Sequence, residues 1–264
     1  MGALKAMFSF FTMIRLDITQ DDMDAMDKKF WMVPLVGSLY GLIAAVMMVF
    51  LTQYVNPLVS SVVTFFVVFS FNRFLHIDGT IDVGDGLVVA GTREDHIRAL
   101  KDPRIGAGGM AFALMIILMN VVMAAAVPIL FLAIVLFAAE VFAKMGMVSA
   151  AAFGEPGDGM AGNSVRNTST PALAFAMGLS AILIIAFTAV IAALERYTAL
   201  PVALPGHYVA LLLLCLGISV FAGLMMSEIA KRNFGMVNGD VLGATNEITR
   251  AAVLLTALLF ISVI

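Results

Sequence analysis

The chain has 264 residues, of which 62% are hydrophobic and 12% charged, with a net charge of −3. Soluble domains are about 45–50% apolar and about 25% charged, so this chain has too few charges to cover a water-facing surface, and lipid must supply the remaining solvent. The small net charge points to no nucleic acid or other polyanionic partner, and the single cysteine, Cys215, excludes a disulfide framework.

Residues 1–14 carry one lysine, a short apolar stretch and no small-residue cleavage site. They read as a helix lying along the membrane surface rather than a cleaved signal. Residues 16–31 are acidic, with Asp17, Asp21, Asp22, Asp24 and Asp27 beside Lys28 and Lys29. A spanning helix needs about 20 mostly apolar residues, and seven segments qualify: 32–55, 57–75, 106–126, 128–147, 171–193, 207–229 and 241–264. Asn56-Pro57 marks a turn between the first two, and Pro128 breaks the long apolar stretch between the third and fourth. The expected fold is therefore an all-α, polytopic transmembrane bundle of about seven spans plus short interfacial helices, in a single domain over 1–264. With the N-terminus inside, thirteen of the fifteen Lys and Arg fall on the inner side; only Arg196 lies outside, and Arg250 lies within the last span. That asymmetry predicts a multi-pass cell-membrane protein whose N-terminus and polar motifs face the cytoplasm.

Three polar motifs fall on that side. The first runs His76-Ile-Asp-Gly-Thr-Ile-Asp-Val-Gly-Asp-Gly86. On a helix, Asp78, Asp82 and Asp85 share an arc of about 60°. Like charges so placed repel, and a hard divalent cation with oxygen ligands, Mg²⁺ or Mn²⁺, would offset the repulsion. Gly79, Gly84 and Gly86 would let a bulky substrate approach the backbone. The second motif, Lys101-Asp102-Pro-Arg104-Ile-Gly106, leads into a helix N-terminus. Backbone N–H groups and the helix dipole favour phosphate there, with Lys101 and Arg104 as cationic contacts. Asp102 is either a base or a salt-bridge partner. Just upstream, Thr92-Arg-Glu-Asp95 reads as the cap of a short helix. The third, Asn238-Gly-Asp240 to Glu247, sets two carboxylates seven residues apart on one face. Intramembrane Glu247 is a functional candidate by default, unless Arg250 simply neutralises it. Glu140 with Lys144, and Glu228 with Lys231 or Arg232, read as local ion pairs. His76 is a phosphate contact, a supporting group or a packing residue.

Taken together, the chain resembles the cobalamin synthase family, the adenosylcobinamide-GDP ribazoletransferases. The resemblance rests on His76-Ile-Asp78-Gly with Asp82 and Asp85-Gly, on Lys101-Asp-Pro-Arg-Ile-Gly106 with Gly109, and on Gly239-Asp240-Val-Leu-Gly-Ala244 with Glu247. It extends to the opening Phe8-Ser-Phe-Phe-Thr12 and Val33-Pro-Leu-Val-Gly37. Pro103, Asn238 and Lys144 depart from the family's usual Ser, Thr and Arg. The resemblance implies that α-ribazole, or its 5′-phosphate, attacks the cobinamide-linked phosphate of adenosylcobinamide-GDP, releasing GMP with Mg²⁺ as cofactor. It implies Asp78, Asp82, Asp85 and Asp240 as metal ligands. His76, Lys101, Arg104, Gly106 and Asn238 would bind substrate, and Asp82, Asp85, Asp102 or Glu247 would act in catalysis. The implied partners are those two substrates and the bilayer; a homo-oligomer or a late B12-assembly complex is left open. A CDP-alcohol phosphotransferase would carry an Ala-Arg pair after its first Asp-Gly, where this chain has Thr80-Ile81. A prenyltransferase would carry an Asn-Asp-x-x-Asp run. A secondary transporter would show repeated halves and broken helices near the midplane, whereas the charges here cluster at one interface.

Overall fold

The computed structural model describes residues 2–195 and 207–263, so the expected outer charge at Arg196 lies outside the described residues. The described chain is helical throughout: α1 (Gly2–Phe11), α2 (Gln20–Lys28), a 3₁₀ turn (Phe30–Met32), α3 (Pro34–Leu51), α4 (Pro57–Phe71), α5 (Leu75–Val88), α6 (Arg93–Leu100), α7 (Ala107–Ala126), α8 (Ile129–Phe153), α9 (Gly159–Asn167), α10 (Thr170–Glu195), α11 (Tyr208–Asn233) and α12 (Gly239–Ile261). Six of these are long and apolar enough to cross a membrane, and the bent pair α4–α5 brings the number to seven. The helix ends follow from sequence. Asn56 accepts from Val59 N–H and Pro57 opens α4, Pro128 separates α7 from α8, and Thr92 and Asp95 form a reciprocal capping box on α6.

Helix α8 is the axis of the bundle. Of its most apolar stretch 78% is buried, against 17% for α10. A helix that is apolar all round belongs in a core or in lipid; α8 takes the first solution, with α3, α10, α11 and α12 packed around it, and α10 the second. The N-terminal α1 is too short to span. It packs on α2, and its C-terminal end is stapled to the bundle. Tyr40 Oη donates to Phe11 O, Arg73 donates to Phe10 O at 2.5 Å, and Met13 N–H donates to Phe71 O at 2.8 Å.

The second expected span, 57–75, is shorter and broken. Helix α4 stops at Phe71, and Arg73 and Phe74 both take left-handed φ of 56°, a region costly for residues with a Cβ. The chain leaves at 93° to α4 and continues as α5, which carries the first acidic motif. Helix α5 then packs against α12 and α7. Gly79 and Gly84 allow this packing, and Gly86 allows the close approach of the Phe234 ring. A Cβ on Gly79 would stand 2.8 Å from Asp240 Cα and O, and one on Gly84 would stand 2.9 Å from Gly109 Cα.

Candidate active site

The close approach at Gly79 brings the first and third motifs together, so the face of α5 that carries Asp78, Asp82 and Asp85 meets Asp240 at the start of α12. Asp78 is exposed and the other three are half-buried. Burial pushes the Asp82 carboxyl up to about 6, helped by the charges of Asp240, Asp78 and Asp85 in that order. No salt bridge reaches any of the four among the described residues. Their hydrogen bonding divides them. Asp240 Oδ2 accepts from Asn238 Nδ2 at 2.8 Å, while the side chains of Asp78 and Asp82 have no protein hydrogen-bond partner among the described residues. Asp85 is the most committed. Its Oδ2 accepts from Gly106 N–H at 2.7 Å and its Oδ1 from Gly109 N–H at 2.8 Å.

Asp85 therefore fills the helix N-terminus that the sequence marks as a phosphate pocket. The dipole and free N–H groups of α7 do hold an anion there, and that anion is a side chain of the protein. Gly109 has to be a glycine, because a Cβ there would collide with Ile81 O and with the Asp85 carboxyl. Lys101, Asp102 and Arg104 sit beyond this junction, lining an open groove with Glu94, Ile97 and Arg98. Arg104 grips Asp102 with two bonds, Nε to Oδ1 at 3.0 Å and Nη2 to Oδ2 at 2.8 Å. That grip holds the Asp102 carboxyl down at about 2. Asn238 caps α12 through Val241 N–H at 3.0 Å as well as bonding to Asp240.

His76 and Glu247 lie deeper, in a second charged cluster. Arg250, fully buried, forks Glu140 with bonds of 2.7 and 3.0 Å and also binds Glu247. Asn246 Nδ2 donates to Glu247 Oε1 at 3.0 Å, and Lys144 Nζ donates to Asn246 Oδ1 at 2.8 Å. Lys144 also lies 3.0 Å from His76 Nε2, and the Asn72 amide lies 3.2 Å from Nδ1. The imidazole is thus held between Lys144 and Asn72, one at each ring nitrogen. The expected local pairs give way here: Glu140 pairs with Arg250 and not Lys144, and Lys231 reaches Glu155 at 3.6 Å and not Glu228.

A cleft of roughly 630 Å³, open mouth included, reaches the acidic junction. Asp78 and Asp240 stand in its wall together with Phe10 and Phe11 of α1, Met26 of α2 and Ala161 of α9. Sequence reasoning missed these last four. The aromatic pair in the opening Phe8-Ser-Phe-Phe-Thr12 stretch was the available signal, but nothing local said which helix it would face. Among the described residues, no three His, Cys, Asp or Glu side chains converge closely enough to ligate one ion as they stand. The donor set suits a hard cation nonetheless, being oxygen-only, with the carboxylates of Asp78 and Asp82 left free.

The family described as cobalamin-5-phosphate synthase matches residues 3–258. Relatives named adenosylcobinamide-GDP ribazoletransferase include those of Methanosarcina barkeri (29% identical, over 99% of this chain and 92% of the relative), Methanosarcina mazei (30%, over 99% and 91%) and Methanocella arvoryzae (31%, over 96% and 94%). No solved structure gives a significant match. With the family's description spanning nearly the whole chain, and with the acidic and basic motifs meeting around α5, α7 and α12, the chain belongs to the cobalamin-5-phosphate synthase family.

Proposed function

We propose that the chain joins α-ribazole, or its 5′-phosphate, to adenosylcobinamide-GDP with release of GMP, at the cytoplasmic face of the cell membrane and with Mg²⁺ as cofactor. The observation that carries this reading is the junction of α5 and α12, where a glycine contact gathers four carboxylates that no salt bridge reaches among the described residues. The positive charges of the polar loops favour the cytoplasmic orientation.

A hydroxyl of α-ribazole attacks the cobinamide-linked phosphorus. A new P–O bond forms, the bond to GMP breaks, and the hydroxyl proton must be taken up. Asp78, Asp82 and Asp240 would hold the cation, which when bound supplies Lewis-acid polarisation of the phosphate oxygens and offsets the like charges around it. Of the four catalytic candidates, Asp102 is held by Arg104, Glu247 is sealed among Arg250 and Asn246, and Asp85 is committed to the α7 N–H groups. Asp82 is left as the carboxylate that no protein group engages among the described residues, half-buried and drawn toward protonation, so one oxygen can meet the cation while the other takes the proton. Lys101 and Arg104, in the open groove, are placed to meet the nucleotide phosphates by charge.

Purified protein supplied with Mg²⁺, adenosylcobinamide-GDP and α-ribazole phosphate should release GMP. Asp82→Asn, at unchanged melting temperature, should lower that rate at least about a hundredfold. Full activity in Asp82→Asn would overturn the assignment, and no GMP from the wild type would overturn the reaction itself.

A further inference from the structure

The cleft beside the acidic junction has two unlike ends. Its rim carries Asp78 and Asp240, and its interior is built from Phe10, Phe11, Met26, Phe30 and Met147. Phe11, Met26, Phe30 and Met147 are all at most 5% exposed. Helices α1 and α2 supply three of the five apolar groups and the 3₁₀ turn after them a fourth, and none of these adds a carboxylate, so this short N-terminal segment has a use beyond lying on a membrane.

We infer that this cleft seats the aromatic base of α-ribazole, and that its walls set which lower-ligand bases are accepted. The inference rests on the ribazoletransferase reading above and names the subsite within it. α-Ribazole joins a flat two-ring aromatic base to a sugar, so its base matches the Phe and Met interior while its sugar hydroxyls face Asp78 and Asp240. Aromatic and thioether groups are good partners for such a ring face.

The other large groups in the reaction fit less well. A corrin rimmed with amides would set polar groups against phenylalanine and methionine without partners. Guanine is flat, but its N1–H, exocyclic amine and O6 each need a bond. The polar groups along the wall are already committed. Ser164 Oγ donates to Asp27 Oδ1 at 2.6 Å, and both ring nitrogens of His76 face Lys144 and Asn72. A benzimidazole ring presents a single free nitrogen and loses little. The same count predicts that an adenine-bearing α-nucleotide is a poor substrate.

Two variants test this. Ala161→Leu, on half-buried α9, narrows the cleft from the side where a Cβ on Gly239 would lie 3.7 Å from Ala161 Cβ. Phe10→Ala, at the half-buried edge of α1, widens it. For Ala161→Leu, the KM for α-ribazole phosphate bearing dimethylbenzimidazole should rise about tenfold or more, as for a mis-sized apolar pocket. The KM for adenosylcobinamide-GDP should stay within about twofold. Plain benzimidazole should suffer less, and Phe10→Ala should weaken the preference between the two bases. A change in the KM for adenosylcobinamide-GDP instead, or no change in either, would overturn the subsite and leave the reaction standing. Equilibrium binding of α-ribazole, read from the fluorescence of its base without turnover, separates the two ideas. Binding weakened by Ala161→Leu in a protein that releases no GMP would overturn the reaction and keep the subsite, and no binding at all would overturn both.

Discussion

The protein holds two clusters of charge on α12, one at its first turn and one two turns further in, and they are built on opposite principles. The inner one is closed. Arg250 binds both Glu140 and Glu247, and Lys144, Asn246, Asn72 and His76 complete a hydrogen-bonded network around them. The outer one is open, with Asp78, Asp82, Asp85 and Asp240 and no ion pair among the described residues. Burying unpaired charge is costly, so the compensated cluster can sit at full burial, while the uncompensated one stays at the cleft, where solvent or a cation reaches it. A carboxylate in a polar sequence motif can belong to either kind, and only the opposite charges around it tell which.

The largest expected effect lies in the closed cluster. Arg250→Met removes the one group that holds both glutamates, leaving two buried carboxylates with no guanidinium. Breaking such a pair from one side costs about 3–5 kcal/mol. The variant should lose most of its folded yield in detergent, read as a lower melting temperature and faster proteolysis. Glu140→Gln, which keeps an acceptor for Arg250, should cost less. A fully stable Arg250→Met with altered turnover would mean that the inner cluster works as part of the site.

The open cluster predicts a dependence on pH and cation that the closed one should lack. The Asp82 carboxyl is raised from 3.8 to about 6, so its contribution to stability is present below about pH 4 and is lost as pH rises through about 6. In divalent-free buffer, the melting temperature of the wild type relative to Asp82→Asn should therefore fall between pH 5 and pH 7. Mg²⁺ at pH 7 should raise the wild type by a few degrees and Asp82→Asn by less. Parallel pH curves for the two proteins, with no effect of Mg²⁺ on either, would remove the basis for a cation at this junction.

Much of the architecture was legible in the residues. Apolar length alone placed the crossing helices, Asn56-Pro57 and Pro128 placed two turns, and i, i+4, i+7 spacing put Asp78, Asp82 and Asp85 on one helical face. The break after Phe71 was not legible, because no proline or glycine marks it: Arg73 and Phe74 accept left-handed backbone so that α5 can turn toward α12. The pairing of Glu140 with Arg250 spans 110 positions, and the local rule pointed to Lys144 instead. The glycines of the acidic motif declared that something comes close, and only the fold says that it is α12 at Gly79, α7 at Gly84 and the Phe234 ring at Gly86. The cleft wall was hidden for the same reason, since Phe10 and Met26 line one cleft with Asp78 through tertiary packing that has no signature in spacing.

Asp85 belongs to the open cluster yet is bound by the protein's own groups, and it gives the smallest and sharpest test. It belongs to the acidic face by sequence, yet both its oxygens are bound by the first N–H groups of α7, which makes it a helix cap that ties α5 to α7. Asparagine there keeps one acceptor and turns an amide N–H₂ toward the second N–H, and it gives up the charge that the α7 dipole favours. Asp85→Asn should therefore cost about 1 kcal/mol of stability and lower GMP release by no more than about tenfold, well short of Asp82→Asn on the same face. Equal inactivation by the two substitutions, with helix content and melting temperature preserved, would mean that Asp85 leaves the α7 N-terminus to act on substrate or cation. That N-terminus would then be free to take the phosphate that Lys101-Asp102-Pro-Arg104 first suggested.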